Sequence, residues 1–300
     1  MSDKCIIVRG GGDLASGVIH RLHRCGYRVL ILECEKPSAI RRKVAFCEAV
    51  YDGTAAVEGI LCRRIDSLEE CEQVWQAGEI PLMVDPAGDC MIELSAQGKV
   101  AALVDAILAK RNLGTKITDA PFVIGVGPGF TAGEDCNCVV ETKRGHTLGN
   151  VIWDGSAIPN TGVPGNVGGY SIERLIKASA DGVIEPKAVI GDLVRKGQIV
   201  AITGGEPVYA LMDGIVRGML QPGVQVTKGL KIGDIDARAK QEHCRTISDK
   251  ARAIGGGVLD AVCSYEKSRG KYALILLAAG QSVRFGSDKL KAVVEGEAMY

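Results

Sequence analysis

Charge of one sign is what this 300-residue chain lacks most plainly: 36 Lys and Arg are matched by 36 Asp and Glu. A net charge of zero supplies no long-range field for nucleic acid, and no basic run supplies a local one. No apolar stretch approaches the ~18 residues that a membrane-spanning helix needs. The start, MSDKCIIVRGGG, passes straight into strand-like sequence without the charged-then-apolar pattern of a secretory signal. Neither nucleic acid nor a membrane is therefore expected as a partner. Eleven cysteines are scattered without a disulfide framework, which points to a reducing, cytoplasmic compartment. Cys136 and Cys138 form the one close pair, but a single intervening residue is short of the spacing of a zinc knuckle, and no metal site is expected. In a strand the two would share a face. Aromatics are scarce, at 4%, while glycines number 39; together they favour an α/β architecture with many tight turns. The length suggests two or three domains.

Residues 5–8 are a short run with β-branched members, followed by Arg9-Gly10-Gly11-Gly12-Asp13-Leu14-Ala15-Ser16-Gly17. Leu14, Val18, Ile19 and Leu22 keep helical spacing as far as Gly26, and residues 28–33 read as a buried strand ending in Glu33. Strand, glycine turn, helix, strand and acid is the order of a dinucleotide-binding βαβ unit. Gly10 would supply the tight turn, Gly12 the close approach of a phosphate, and Glu33 the partner of a ribose hydroxyl. The competing reading is a Rossmann-like fold whose glycines serve packing alone. Asp13 favours caution here, because it sets a negative charge where a phosphate would otherwise meet the helix N-terminus. The pattern continues with a helix over 40–51, a strand over 59–65, and a helix over 67–75 capped by Ser67. A strand over 80–84 ending at Asp85 and an amphipathic helix over 100–109 follow. This alternation predicts a parallel sheet in a Rossmann-like domain over 1–114, with Gly10, Gly12, Glu33 and Asp85 at the carboxyl ends of strands, where ligands bind; these four and Asp13 are the cofactor-binding candidates of this domain.

Residues 121–165 hold short apolar runs between Gly127-Pro128-Gly129, Gly133-Glu134-Asp135, Lys143-Arg144-Gly145-His146 and Asn160-Thr161-Gly162. Turn formers this dense fit a set of β-hairpins; held on a scaffold, they also fit a binding surface. Gly127, Gly129, Arg144 and His146 are the candidates, although a hairpin histidine is more often a structural hydrogen-bonder. Further on, Gly191-x-x-Val194-x-Lys196-Gly197 has a partner in Gly223-x-x-Val226-x-Lys228-Gly229. These half-repeats resemble the barrel-sandwich hybrid of biotinyl and lipoyl carrier domains, which implies a β-rich domain over 115–236. The exposed turn that carries the modified lysine in those carriers here has Leu211-Met212, so no covalent biotin or lipoate is expected. Residues 237–270 read as a charged helical segment interrupted by Gly255-Gly256-Gly257, ending in a polar linker over 264–271.

The last segment, 271–300, contains Leu277-Ala278-Ala279-Gly280-x-Ser282-x-Arg284-x-Gly286-x-x-Lys289. This is similar to the opening of nucleotidyltransferases that activate molybdopterin or sugar phosphates with a nucleoside triphosphate. The resemblance implies that Gly280 and Ser282 cradle the triphosphate while Arg284 and Lys289 neutralise developing charge. Such a transferase needs a further sheet and metal-binding acids, so an incomplete nucleotidyltransferase start is expected to carry no activity alone.

Gly10–Gly17, Gly127-Pro128-Gly129-Phe130-Thr131-Ala132-Gly133, Val140-Glu141-Thr142-x-Arg144-Gly145-His146-x-Leu148-Gly149 and Asn160-Thr161-Gly162-x-Pro164-Gly165 occur in an order that resembles one family. It is the YqeB type of selenium-dependent molybdenum hydroxylase accessory protein, and the resemblance covers roughly residues 4–265. It implies a maturation factor whose partners are an apo molybdenum hydroxylase and a small-molecule cofactor, either molybdopterin or a nucleotide such as NAD(P) or CTP. The alternatives are an NAD(P)-dependent oxidoreductase, or a truncated bifunctional molybdenum cofactor cytidylyltransferase. No catalytic residue is carried over, and a homo-oligomeric state stays open.

Overall fold

The computed structural model describes residues 4–162, 165, 167–270 and two short strands at 293–294 and 297–298. It divides into one unit over 1–265 and a second over 266–300. The first begins with β1 (Cys5–Arg9), β2 (Arg28–Glu33), β3 (Thr54–Val57), β4 (Ile60–Ile65), β5 (Ile80–Val84), β6 (Val100–Asp105) and β7 (Val123–Val126). Then come β8 (Thr131–Ala132), β9 (Cys138–Val140), β10 (Val151–Ile152) and β11 (Gly155–Ser156). Nine of these make one sheet in the order β10-β9-β7-β6-β1-β2-β5-β4-β3, while β8 pairs with β11. From β9 to β4 the neighbours are parallel; β10 and β3 are antiparallel edges. The central strands β1, β2, β6 and β7 are apolar and buried along their middles because both faces are covered. On one face lie α1 (Asp13–Arg24) and the long α6 (Asp249–Arg269), with α2 (Ala49–Asp52) beside them. On the other lie α3 (Glu70–Gln76) and α4 (Asp89–Ala96). A short α5 (Glu242–Arg245) precedes α6.

Several expectations change. Residues 100–105 are the buried strand β6, not part of a helix; Val-Ala-Ala-Leu-Val is too short and uniformly apolar for periodicity to separate the two. Residues 40–51 are two 3-10 turns leading into the single turn of α2. Ser67 makes no cap; instead the Glu70 carboxylate accepts from the backbone N–H groups of Asp66 and Ser67. β7 and β9 are parallel neighbours rather than a hairpin, so the sheet runs on past residue 114 to Ile152. Cys136 precedes β9 and packs on one face of the sheet, whereas Cys138 packs on the other. The Gly255–Gly257 run does not break α6, and helix persists where a linker was expected, through Arg269.

The glycines of α6 have a packing reason. A Cβ at Gly255 would lie 2.5 Å from the Gly17 carbonyl oxygen, and one at Gly257 would collide with the carbonyl oxygen of Gly149. Reciprocally, a Cβ at Gly17 would lie 2.6 Å from the Ala251 carbonyl oxygen. Backbone meets backbone here, which offsets the helix propensity lost at each glycine.

The chain then builds β12 (Leu175–Lys177), β13 (Gly182–Pro186), β14 (Leu193–Val194), β15 (Ile199–Thr203), β16 (Glu206–Tyr209), β17 (Gly214–Met219), β18 (Gln225–Val226) and β19 (Lys231–Asp236). They form two four-stranded antiparallel sheets, β12-β19-β17-β14 and β16-β15-β13-β18, and every strand contributes to one shared core. The half-repeats become a pairing rule. Gly182 pairs with Val226 as Gly214 pairs with Val194. Lys228 N–H donates to the Asp181 carboxylate, and Lys196 N–H to that of Asp213. Counterparts in these pairings lie 32 positions apart, as 182 to 214 and 194 to 226 show. In the second unit, β20 (Val293–Val294) and β21 (Glu297–Ala298) pair antiparallel.

Replacing Gly257 with Ala should drive a methyl group into the Gly149 backbone and destabilise the fold by about 1–3 kcal/mol. Urea denaturation would show this as a lowered midpoint; an unchanged midpoint would refute the close packing.

Candidate functional site

The strand order reverses at β1. From β1 the chain moves outward to β2 on one side and later returns to β6 on the other, so the loops leaving β1 and β6 diverge. Such a switch point is where open α/β sheets bind ligands. A cavity of about 580 Å³ opens there. Its walls take Gly12 from the loop after β1 and Asp13 from the start of α1, Leu108 and Lys110 after β6, Pro128 after β7, and Thr142, Lys143 and Arg144 after β9. The β-rich part closes it with Arg174, Arg217, Lys231 and Asp234, and Arg41 and Lys250 complete it.

Charge is the property these walls share. Eight Lys or Arg side chains line the cavity against two carboxylates, Asp13 and Asp234. Arg41 is 6% exposed; it pairs with Asp13 at 3.5 Å and donates to the carbonyls of His243 and Thr246 at 2.9 Å each. Asp234, 1% exposed, takes Arg174, Arg217 and Lys231 together. The Nε atoms of Arg41 and Arg174 have no acceptor. No hydrogen bond or ion pair reaches the ammonium groups of Lys110, Lys143 or Lys250 among the described residues. Burial, seconded by the nearby Arg144 charge, pushes the Lys250 ammonium below its ordinary range. A concentration of unmatched positive charge in a concave site is complementary to a polyanion.

The expected site residues divide. Gly12 has φ −64° and ψ 178°, which any residue can adopt, and a Cβ there would meet nothing within 4 Å. Its missing side chain leaves the cavity open. Gly10 is a backbone requirement: φ is +92° and a Cβ would stand 3.1 Å from the Ala106 carbonyl. Gly127 and Gly129, at φ +85° and +114°, pack against Thr142 and the Arg111 backbone and place Pro128 between them in the wall. Glu33 lies outside the walls; its two oxygens accept from Gly11 N–H and Cys34 N–H at 2.8 Å, binding the glycine turn to β2. Asp85 also lies outside, accepting from the N–H groups of Gly88, Asp89 and Cys90 and so holding the start of α4. Arg144 lines the cavity but is spent in part on a two-pronged pair with Asp249, at 2.6 and 2.9 Å. His146 is exposed and outside the cavity. Gly280, Ser282, Arg284 and Lys289 lie outside the described residues.

Arg41, Lys110, Lys143, Arg174, Arg217, Lys231, Asp234 and Lys250 escaped the sequence reading. Overall neutrality concealed them, since they come from segments far apart in sequence. The available signal was the half-repeat: Lys231 and Asp234 stand where the other half has Ile199 and Ile202.

No family model matches the chain. The uncharacterized protein YqeB of Escherichia coli strain K12 is 49% identical over 257 residues, covering 86% of this chain and 47% of that protein. The likeness to the YqeB type thus extends over most of the chain, which spans about half the length of the curated relative it matches. Among solved structures, an aspartoacylase family protein from Mesorhizobium loti is 10% identical, covering 77% of this chain and 85% of its own, with a TM-score of 0.25. The ectoine utilization protein EutE (DoeB) from Ruegeria pomeroyi, product-bound, is 12% identical over 78% and 58%, with a TM-score of 0.20. Among the described residues, no helix is long and apolar enough to cross a membrane.

Hydrogen bonds from Arg144 hold the Asp249 carboxyl at about 2, below its ordinary 3.8. A depressed carboxyl contributes stability that is full above the unfolded value and lost as pH falls through the folded one. The melting temperatures of the unaltered chain and Asp249→Asn should therefore differ near neutral pH and converge between pH 3.8 and about 2. A difference that persists at the acid end would contradict the pairing.

Proposed function

We propose that this chain binds a phosphate-bearing cofactor, a nucleotide or a molybdopterin, at the sheet's switch point and serves as an accessory factor in maturing selenium-dependent molybdenum hydroxylases. The observation that carries the binding half is the cationic cavity opened by Gly12, with eight basic and two acidic side chains in its walls. The maturation half rests on the order of the Gly10–Gly17, 127–133, 140–149 and 160–165 segments, which is that of the YqeB type, and on the likeness to YqeB itself. The residues described fit an anionic ligand: guanidinium groups pair well with phosphate, and concave walls with few acids favour charge that is already negative. A nicotinamide-dependent oxidoreductase is less well supported, because Glu33 is engaged by Gly11 and Cys34 rather than facing the cavity. The β-rich part is read as a barrel-sandwich hybrid from its paired halves and common core. Leu211, about half exposed, occupies the turn where a carrier would hold its lysine, so a covalent carrier role is not proposed. The nucleotidyltransferase-like start at 271–300 is proposed to belong to the same cofactor pathway.

Calorimetric titration of the full chain with CTP, NAD and molybdopterin tests the reading. At least one should bind, and Gly12→Val should weaken it by at least about tenfold while leaving the melting temperature of the free protein unchanged, because no protein atom lies near that position. Binding that is indifferent to Gly12→Val would remove the cavity from the argument. Failure of the chain to raise the activity of a co-expressed apo molybdenum hydroxylase would remove the maturation role.

A further inference from the structure

The pseudo-symmetry of the β-rich part singles out where its two halves differ. Counterparts lie 32 positions apart through the strands as well as the turns: Ile199 pairs with Tyr209 as Lys231 pairs with Lys177. Ile202 likewise pairs with Pro207 as Asp234 pairs with Leu175. By this rule Lys231 replaces Ile199, Asp234 replaces Ile202, and Arg174 replaces Glu206. Arg217 has no counterpart. β17 carries an irregularity between Val216 and Gly218, whereas β13 runs straight through Glu185 opposite Ile202. Bulges re-aim side chains next to functional sites. One half of a near-twofold body therefore places three cations and one buried carboxylate in the cavity wall, and the other half has none of the four.

Folding does not demand this cluster, since the twin half builds the same pairings with Ile199, Ile202 and Glu206. Nor is the cluster neutral: one Asp234 carboxylate serves three cations, of which Arg217 alone also reaches Asp236, at 3.6 Å, a carboxylate shared with Arg238, and the Arg174 Nε finds no acceptor. Burial pushes the Lys231 ammonium down, although Asp234 pulls the other way. A second basic set faces the same space from the sheet side, Lys110, Lys143 and Lys250, without ion pairs. Two basic sets from different parts of the chain, both short of acceptors, fit a ligand with more than one phosphoryl group. Given that the cavity holds a phosphate-bearing ligand at all, we infer that Arg174, Arg217 and Lys231, set by Asp234, form a phosphoryl subsite that joins with Lys250 to recognise a diphosphate group. The asymmetry of the β-rich halves is the device that creates it.

The test is calorimetry and thermal melting of the full chain with inorganic pyrophosphate and inorganic phosphate at low salt. Pyrophosphate should bind at least about tenfold tighter than phosphate and raise the melting temperature. Lys231→Gln and Lys250→Gln should each weaken it about tenfold with the free protein's melting temperature unchanged. Lys196→Gln, on an exposed turn of the other half, should leave binding as it was. No pyrophosphate heat and no melting shift would overturn the inference, as would variants at Lys231 and Lys250 that bind pyrophosphate normally. CTP binding that is unaltered in both variants overturns the diphosphate subsite but leaves the cofactor reading standing. Pyrophosphate binding lost in both variants, with no affinity for CTP, NAD or molybdopterin, supports the subsite and overturns that reading instead.

Discussion

Parallel pairing on both sides of β1 is the constraint from which the rest of the molecule follows. β1 takes β2 on one edge and β6 on the other, so the chain must leave its end in a turn narrow enough to pass the loop after β6. Gly10 makes that turn at φ +92° against Ala106, and the Glu33 carboxylate holds Gly11 from below. Ser16 adds a buried tie, bonding the Gly11 carbonyl and accepting from Phe46 N–H. With three partners fixing the turn from the protein side, Gly12 is left facing open space. The cavity is what the diverging loops cannot fill.

The segment after β2 then couples this opening to the β-rich part. Ile40 accepts from Met219 N–H through its carbonyl, Arg42 donates to the Met219 carbonyl, and Gln221 donates to Glu48. Gly218 permits the contact, since a Cβ there would lie 2.7 Å from the Ile40 carbonyl oxygen. Arg41, between these ties, turns the other way and reaches the carbonyls before α6. A stretch with no regular helix longer than one turn is thereby held as firmly as one, by backbone partners on two sides. This is why the basic groups of the β-rich strands and those of the sheet loops share a cavity.

Electrostatically the protein is organised by segregation rather than by excess. A chain with equal numbers of acids and bases would be expected to show no field, yet its cavity walls are strongly basic. The compensating acids sit elsewhere in defined jobs: Glu33 and Asp85 bond backbone N–H groups, and Glu141 organises the 142–158 loop by accepting from Thr142, Lys143 and Ile158. Each of those carboxylates is used for local backbone satisfaction, which leaves Lys110, Lys143 and Lys250 without an ion pair and the remaining cavity cations outnumbering their acids.

The sequence by itself determined the α/β character, the first strand–turn–helix–strand unit, and the half-repeats, because each is written in short-range spacing of apolar residues and glycines. It also grouped Arg144 with the 127–129 turn, although His146, placed with them, stands outside the cavity. Where local signal was ambiguous it failed: the six residues of β6 could be strand or helix until two neighbouring strands claimed both edges. The glycine run of α6 looked like a break until Gly17 and Gly149 were seen to press against it. Glu33, Asp85 and His146 have chemistry that suits a site, and only the positions of their partners and of the cavity walls showed where each stands. Tertiary structure alone decided the cation cluster. Arg41, Arg174 and Lys231 are separated by scores of residues, and charges that far apart in sequence acquire a common field, with one another and with Lys250, only when the fold brings them within a few ångströms of one space.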